Sequence, residues 1–121
     1  MKYLVVITFT LISFLSFGQQ ITYDEWKIEA EKNIRLRPKY GNVPKTDEQK
    51  KADKNLIADY LAQAGSHYKA SELLIKLGFD YLYKGDLKTA MYRFNQAWLL
   101  DPTNENVYWG FGAVYFTFKD F

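Results

Sequence analysis

The sequence predicts an all-α fold built from packed helical hairpins, and three observations support this prediction. Apolar residues recur three and four positions apart, which places them on one face of a helix. A pattern that opens at Leu74 opens again at Tyr108. A fixed period of about 34 residues, called the repeat period below, indicates stacked helical units. Glycine or proline follows most of the apolar segments, as is typical at helix ends.

Residues 1–18 have the form of a secretory signal peptide. The charged Lys2 precedes an apolar run, and Ser16 and Gly18 supply the small side chains before a cleavage point after residue 18. The run is shorter than the ~20 apolar residues that cross a bilayer comfortably. We therefore expect an exported protein, either periplasmic or secreted. The alternative is an uncleaved segment, which would then be the chain's only contact with a membrane.

Composition limits the remaining possibilities. The chain has 121 residues, enough for one domain at most. It contains no cysteine, so folding has to rest on apolar burial, and 48% of its residues are hydrophobic. The formal charge of +2 is small and the sequence has no clustered basic face, which argues against a nucleic-acid partner.

The segment 19–65 is predicted to form an N-terminal helical extension. Thr22 caps a first helix, whose apolar stripe consists of Trp26, Ala30 and Ile34. Two prolines and a glycine predict a loop over 37–45. Basic side chains beside this loop suggest either an anionic partner or simple solubility, and they are Arg35, Arg37 and Lys39.

A second helix is predicted from the cap at Thr46 to about Ala64, where Gly65 ends it. Neither of these first two helices fits the repeat pattern. We expect them to cover the first face of the helical stack, as capping elements do.

A helical hairpin is predicted to follow. Ser66 caps a helix that runs to about Lys84, and Gly85 makes the turn. Asp86 caps the next helix, which Pro102 separates from the final one. Asn104 is expected to cap this final helix, which holds residues 108–118.

The hairpin has a family resemblance that rests on spacing and residue type together. Its matching positions are Leu74, Leu77, Gly78, Tyr81, Ala90, Phe94, Ala97 and Pro102, and the second copy has Tyr108, Phe111, Gly112 and Tyr115. Segment 71–104 closely resembles a tetratricopeptide repeat, and 105–121 resembles the first helix of another. The region 66–121 therefore resembles a tetratricopeptide α-solenoid fragment preceded by two non-repeat helices.

Small residues explain part of this pattern. Gly78, Ala90 and Ala97 let paired helices approach closely, while the larger matched residues fill the contact. The second copy ends without its partner helix, although its final helix is apolar nearly all round. We expect either that the chain is truncated relative to a longer array, or that another copy or a partner covers this helix.

The resemblance implies a protein-binding scaffold with a concave groove. The groove positions that it implies, called the predicted groove below, are Ile75, Phe79, Leu82, Tyr83, Trp109, Ala113 and Phe116. Family members that bind a carboxylate terminus carry lysine and asparagine where this chain has Ile75 and Phe79, so an apolar helix or extended segment is the expected ligand. The alternative is that these side chains pack on the N-terminal helices and bind nothing.

The sequence contains few candidates for catalytic or metal-binding residues. His67 is the only histidine, and no cysteine accompanies it as a metal ligand. Gly110 and Gly112 form a G-x-G, but Tyr115 replaces the third glycine and no strand is predicted before it. We expect no enzyme activity, no cofactor and no metal.

The predicted function is a non-catalytic protein–protein interaction scaffold in an extracytoplasmic compartment. One alternative is a structural fragment that self-associates through its final helix. Another is an accessory region of a longer enzyme or assembly factor.

Overall fold

The computed structural model describes residues 20–118, and within them the fold is all-α, as predicted. The helices are α1 (Tyr23–Lys32), α2 (Asp47–Ala64), α3 (His67–Tyr83), α4 (Leu87–Leu100) and α5 (Asn106–Phe116). Two 3-10 helices, Ile34–Leu36 and Pro38–Asn42, connect α1 to α2. The predicted signal peptide at 1–18 and the last residues, 119–121, lie outside the described part of the chain. In the described part, none of the helices is both long and apolar enough to span a membrane.

Side-chain caps fix the helix starts at the predicted places. Thr46 Oγ1 accepts a hydrogen bond from the Gln49 N–H at 3.1 Å, and Gln49 Oε1 accepts one from the Thr46 N–H at 2.8 Å. Ser66 and Asp86 each accept a bond from the backbone N–H three residues further along. Gly85 has φ +85°, which other residues adopt only at a cost, so it forms the turn of the hairpin.

The core centres on Phe94, a fully buried residue of α4 that lies between two glycines. A Cβ on Gly78 of α3 would lie 2.3 Å from this ring, and a Cβ on Gly110 of α5 would lie 2.4 Å from it. The predicted close contact at Gly78 is therefore confirmed. On α5 the close contact is at Gly110 rather than Gly112, since nothing lies within 4 Å of a Cβ built on Gly112.

A buried amide ties the connection between α4 and α5 to the hairpin. Asn104 is 5% exposed, and its Oδ1 accepts from the N–H of Asn106, the first residue of α5, at 3.1 Å. The cap position of α5 is Glu105, which makes no side-chain capping bond, so the predicted cap Asn104 lies one residue too early. The Asn104 amide donates to Ser71 Oγ at 3.0 Å, and Ser71 donates to the Ala97 carbonyl at 2.8 Å. These bonds connect α3, α4 and the start of α5.

The first helix is shorter than its apolar stripe predicted. It ends at Lys32 because Asn33 adopts an extended backbone and its side chain accepts from the Arg35 N–H, which starts the first 3-10 helix. Asn33 also donates to the Tyr92 hydroxyl on α4 at 3.0 Å. Ile34, predicted to continue the stripe, therefore lies outside α1.

The N-terminal helices do not both cover the first face of the stack, and this prediction was wrong for α1. Helix α2 packs on α3 and α4, but α1 packs beside the end of α5. Trp26 is 1% exposed, and its ring centroid lies 6.4 Å from that of Tyr115 and 5.4 Å from that of Phe118. Burial of this large aromatic side chain against α5 explains the placement.

Asn95 holds the segment that crosses α4 between α1 and α2. This side chain is fully buried, accepts from the Lys39 N–H at 2.8 Å, and donates to the Arg35 and Arg37 carbonyls at 2.9 Å each. The backbone over 39–42 has positive φ throughout, between 56° and 69°. A buried amide with all three bonds made is well suited to hold such an unusual backbone in place.

The basic residues of this segment make contacts within the chain. Arg37 donates to the Ala30 and Glu31 carbonyls at the end of α1. The Arg35 guanidinium lies 3.7 Å from the centroid of the Tyr92 ring, and Lys39 extends over a ring of α5. These contacts give all three side chains a role in fastening the segment.

Candidate protein-binding surface

The predicted groove positions lie on α3 and α5, two helices that pack against each other. Three of the seven side chains are largely exposed. Tyr83 at the end of α3 is 80% exposed, while Trp109 and Phe116 on α5 are 75% and 60% exposed. These three are the most exposed large apolar side chains of the two helices.

The other four positions are less accessible. Ile75 is 7% exposed and belongs to the hydrophobic core, so it is not available to a ligand in this structure. Phe79 is partly buried, with its ring centroid 5.1 Å from that of Phe94 in an edge contact. Leu82 and Ala113 are partly buried as well. The structure therefore does not place all seven residues on one open surface.

The exposed face of α5 contains a gap between aromatic side chains. Trp109, Gly112 and Phe116 follow one another at spacings of three and four residues, which places them on one side of the helix. Because no atom lies within 4 Å of a Cβ built on Gly112, the backbone is open to contact between the two rings. A helix or an extended segment could approach the α5 backbone closely at this point.

Polar groups border this face at the start of α5. The Glu72 carboxylate accepts from the Asn106 amide at 2.8 Å and from the Asn104 amide at 3.0 Å. The Asn106 bond is the main cause that holds the pKa of Glu72 below its usual value, so this carboxylate stays ionised at neutral pH. Sequence reasoning missed Glu72 and Asn106. They lie one repeat period apart, and this equivalence in the sequence pattern could have identified them.

A cationic group borders the neighbouring face. Tyr108 is 47% exposed, and the Lys39 ammonium lies 4.9 Å from the centroid of its ring. The Glu72 carboxylate and the Lys39 ammonium therefore both lie near the start of α5, on Asn106 and Tyr108 respectively.

No chemistry beyond contact is evident at this surface among the described residues. His67 Nδ1 lies 2.8 Å from the Leu100 carbonyl, which gives the ring a structural partner. Within residues 20–118 there is no group of three His, Cys, Asp or Glu side chains placed to hold a metal ion.

Comparison of the chain with protein families, with curated proteins and with solved structures gives no match. The function is therefore inferred from the residues and geometry of the chain itself.

Proposed function

We propose that the protein is a non-catalytic scaffold of tetratricopeptide type that binds a protein segment. The observation that carries the proposal is the exposure of Tyr83, Trp109 and Phe116 along the first helices of the two repeat units. Exposed tyrosine and tryptophan side chains are enriched at protein–protein interfaces, and Tyr83 and Trp109 are the two most exposed large apolar side chains of α3 and α5.

Simple energetics supports an apolar ligand. A buried aromatic side chain removes at least ~150 Å² from water, which contributes roughly 4 kcal/mol at about 25 cal/mol per Å². Trp109 alone could therefore serve as a strong anchor, and tryptophan is enriched among such anchors. The open backbone at Gly112 lets an apolar helix or extended segment reach the base of that side chain.

The place of action that we propose is outside the cytoplasm, in the periplasm or the surrounding medium. This part of the proposal rests on the signal-like composition of residues 1–18. Mass spectrometry of the exported protein tests it, and an intact N-terminus on that protein would contradict cleavage after Gly18.

Selection of peptides from a random displayed library against the full chain tests the binding proposal. The selected peptides should be rich in apolar residues, and Trp109→Ala should weaken their binding by about tenfold or more. Ile28→Ala is the matched control, because Ile28 is an exposed apolar residue of α1 and is not in the predicted groove. Equal binding to both variants, or no selected peptide, would contradict the proposal.

Self-association through the final helix remains the alternative prediction. Self-association was predicted because the apolar final helix lacks its partner helix in the sequence. In the structure, α1 covers part of that helix through the contacts of Trp26 with Tyr115 and Phe118. Analytical ultracentrifugation decides the matter, since a monomer at high concentration would exclude a self-pairing function.

A further inference from the structure

A cavity of about 300 Å³ beside the 3-10 helices that connect α1 to α2 suggests a second site. It lies between α2, the 3-10 segment and α4. Its apolar part is formed by Ile34, Ala52 and Leu56, and the remaining lining is polar or charged. Cavities of this volume are large enough for a small organic molecule.

Two glutamine amides in the lining have a fixed orientation. Gln49 Oε1 accepts from the Thr46 backbone N–H at 2.8 Å, and Gln96 Oε1 accepts from Arg93 Nη1 at 2.9 Å. A backbone N–H and a guanidinium can only donate, so both contacts must be made by the amide oxygens. Neither NH2 group has a hydrogen-bond partner within residues 20–118. Each NH2 group is therefore available to donate to a ligand, whereas each oxygen already accepts one hydrogen bond.

The charges of the lining favour an anion as well. Asp53 is paired with the Lys45 ammonium, which also lies 3.4 Å from the centroid of the Tyr40 ring. Arg35 has no carboxylate partner among the described residues, and its guanidinium is stacked on the Tyr92 ring. Because the charges of Asp53 and Lys45 compensate each other, Arg35 gives the lining a net positive charge.

The wall of the cavity at Tyr40 has an uncommon backbone. This tyrosine is 7% exposed and has φ +57°, a conformation that bulky residues rarely adopt. Such conformations persist where the surrounding structure holds them, and they concentrate at functional sites. Burial first, and then the Asp53 charge, raises the pKa of the Tyr40 phenol, so the wall presents a neutral hydroxyl at neutral pH.

We propose that this cavity binds a small organic carboxylate with a short apolar body. The carboxylate accepts hydrogen bonds from the Gln49 and Gln96 NH2 groups and is attracted by Arg35, while the body packs on Ile34 and Leu56. This site is separate from the aromatic surface of α3 and α5, and its ligand is chemically different from a protein segment.

Titration of the full chain with benzoate tests the proposal, with benzylammonium as a cationic probe of similar size. Side-chain amide signals in nitrogen–proton NMR spectra give the readout, and the Gln49 and Gln96 signals are assigned by substitution. We expect saturable shifts of both NH2 signals with benzoate up to about 10 mM, a range suited to a ligand of this size. We expect no such shifts with benzylammonium.

A charge-matched pair of variants identifies the site. Gln49→Glu keeps the oxygen that caps α2 but replaces the NH2 donor with a second oxygen, so benzoate affinity should decrease by about tenfold. Gln63→Glu makes the same charge change on α2 outside the lining of the cavity, and its effect should stay within about twofold because it removes no donor from the site. Circular dichroism confirms that both variants are folded.

Several outcomes would overturn the proposal. Equal losses in the two variants would show a general charge effect, and equal binding of benzylammonium would show that charge is not recognised. Benzoate binding without movement of the Gln49 and Gln96 NH2 signals would place the ligand elsewhere, and no binding at about 10 mM would remove the site. Trp109→Ala should leave the titration unchanged, which separates this result from the fate of the protein-binding proposal.

Discussion

Replacing Gly78 by alanine tests the packing on which the fold depends. The new Cβ would lie 2.3, 2.6 and 2.8 Å from three atoms of the Phe94 ring. Carbon atoms in comfortable contact are ~3.5 to 4.0 Å apart, so the ring would have to move by roughly 1 Å. It has no room to do so, because Phe94 is fully buried and Gly110 bounds its other side at a would-be Cβ distance of 2.4 Å.

The expected magnitude follows from two opposing effects. Overpacking of a filled core costs about 1–3 kcal/mol, and the tight space around Phe94 puts Gly78→Ala near the upper end. Alanine is favoured over glycine in a helix by about 1 kcal/mol, which offsets part of this cost. We expect a net loss of about 2 kcal/mol in the free energy of unfolding. Gly110→Ala should behave in the same way, since its Cβ would meet the same ring.

Gly112→Ala is the matched control, and its effect should have the opposite sign. Gly112 lies one repeat period after Gly78 and is equivalent to it in the sequence pattern. Its Cβ would meet nothing within 4 Å, so only the helix propensity changes and the protein should gain about 0.5–1 kcal/mol. The two equivalent positions are thereby predicted to respond differently.

Urea unfolding followed by far-UV circular dichroism measures these changes. A double variant, Gly78→Ala with Phe94→Leu, should recover part of the loss, because the smaller side chain relieves the contact. The packing argument is refuted if Gly78→Ala is as stable as the parent chain, or if Gly112→Ala is as destabilising as Gly78→Ala.

Three further predictions concern the connection between α1 and α2 and the residues that hold it. Asn95→Ala should cost about 3 kcal/mol in urea unfolding, because it removes three hydrogen bonds to backbone groups, whereas Asn55→Ala at an exposed position of α2 should change stability by less than about 0.5 kcal/mol. Thr46→Ala should cost about 1 kcal/mol through loss of the α2 cap, and Thr46→Ser should restore it. The raised pKa of Tyr40 means that its stabilising contribution is complete below about pH 10, the unfolded value, and is lost as the pH rises above it. The urea midpoint should therefore decrease less steeply above about pH 10 in Tyr40→Phe than in the parent chain, and equal slopes would contradict this assignment.

Helix boundaries were the most predictable part of the fold, because the interactions that set them are local. The cap at Thr46 bonds to the residue three positions further on, and Gly85 takes a turn conformation that its missing side chain permits. Both can be recognised in a short stretch of sequence. The length of α1 was overestimated because Asn33 ends it with an extended backbone, and this residue also bonds to Tyr92, 59 residues away, which the local sequence does not reveal.

Tertiary placement was less predictable, since it depends on which neighbour each helix face meets. Gly110 and Gly112 are both glycines of α5, yet only Gly110 faces Phe94. Asn95 did give a signal that sequence reasoning overlooked. It is a polar residue between the apolar Phe94 and Ala97 on the buried side of α4, where an amide needs a partner from another segment.

The dependence on neighbouring helices also explains why some residues of the predicted groove are exposed and others are buried. Ile75 and Trp109 occupy equivalent positions one repeat period apart, but Ile75 is 7% exposed and Trp109 is 75% exposed. A repeat pattern predicts equal environments only where each unit has the same neighbours. Helix α3 packs on α2, α4 and α5, whereas α5 has a different set of neighbours, so equivalent residues differ in burial.

The N-terminal helical extension occupies part of the space in which the repeat pattern would predict a partner helix for α5. Tyr108, Gly112 and Tyr115 of α5 lie one repeat period after the matched residues of α3. Two of these three residues contact the N-terminal helical extension: Trp26 packs beside Tyr115, and the Lys39 ammonium lies over the ring of Tyr108. Gly112 alone has open space at its Cβ position. At this face the open backbone at Gly112 is therefore the part of α5 that remains for the proposed protein segment.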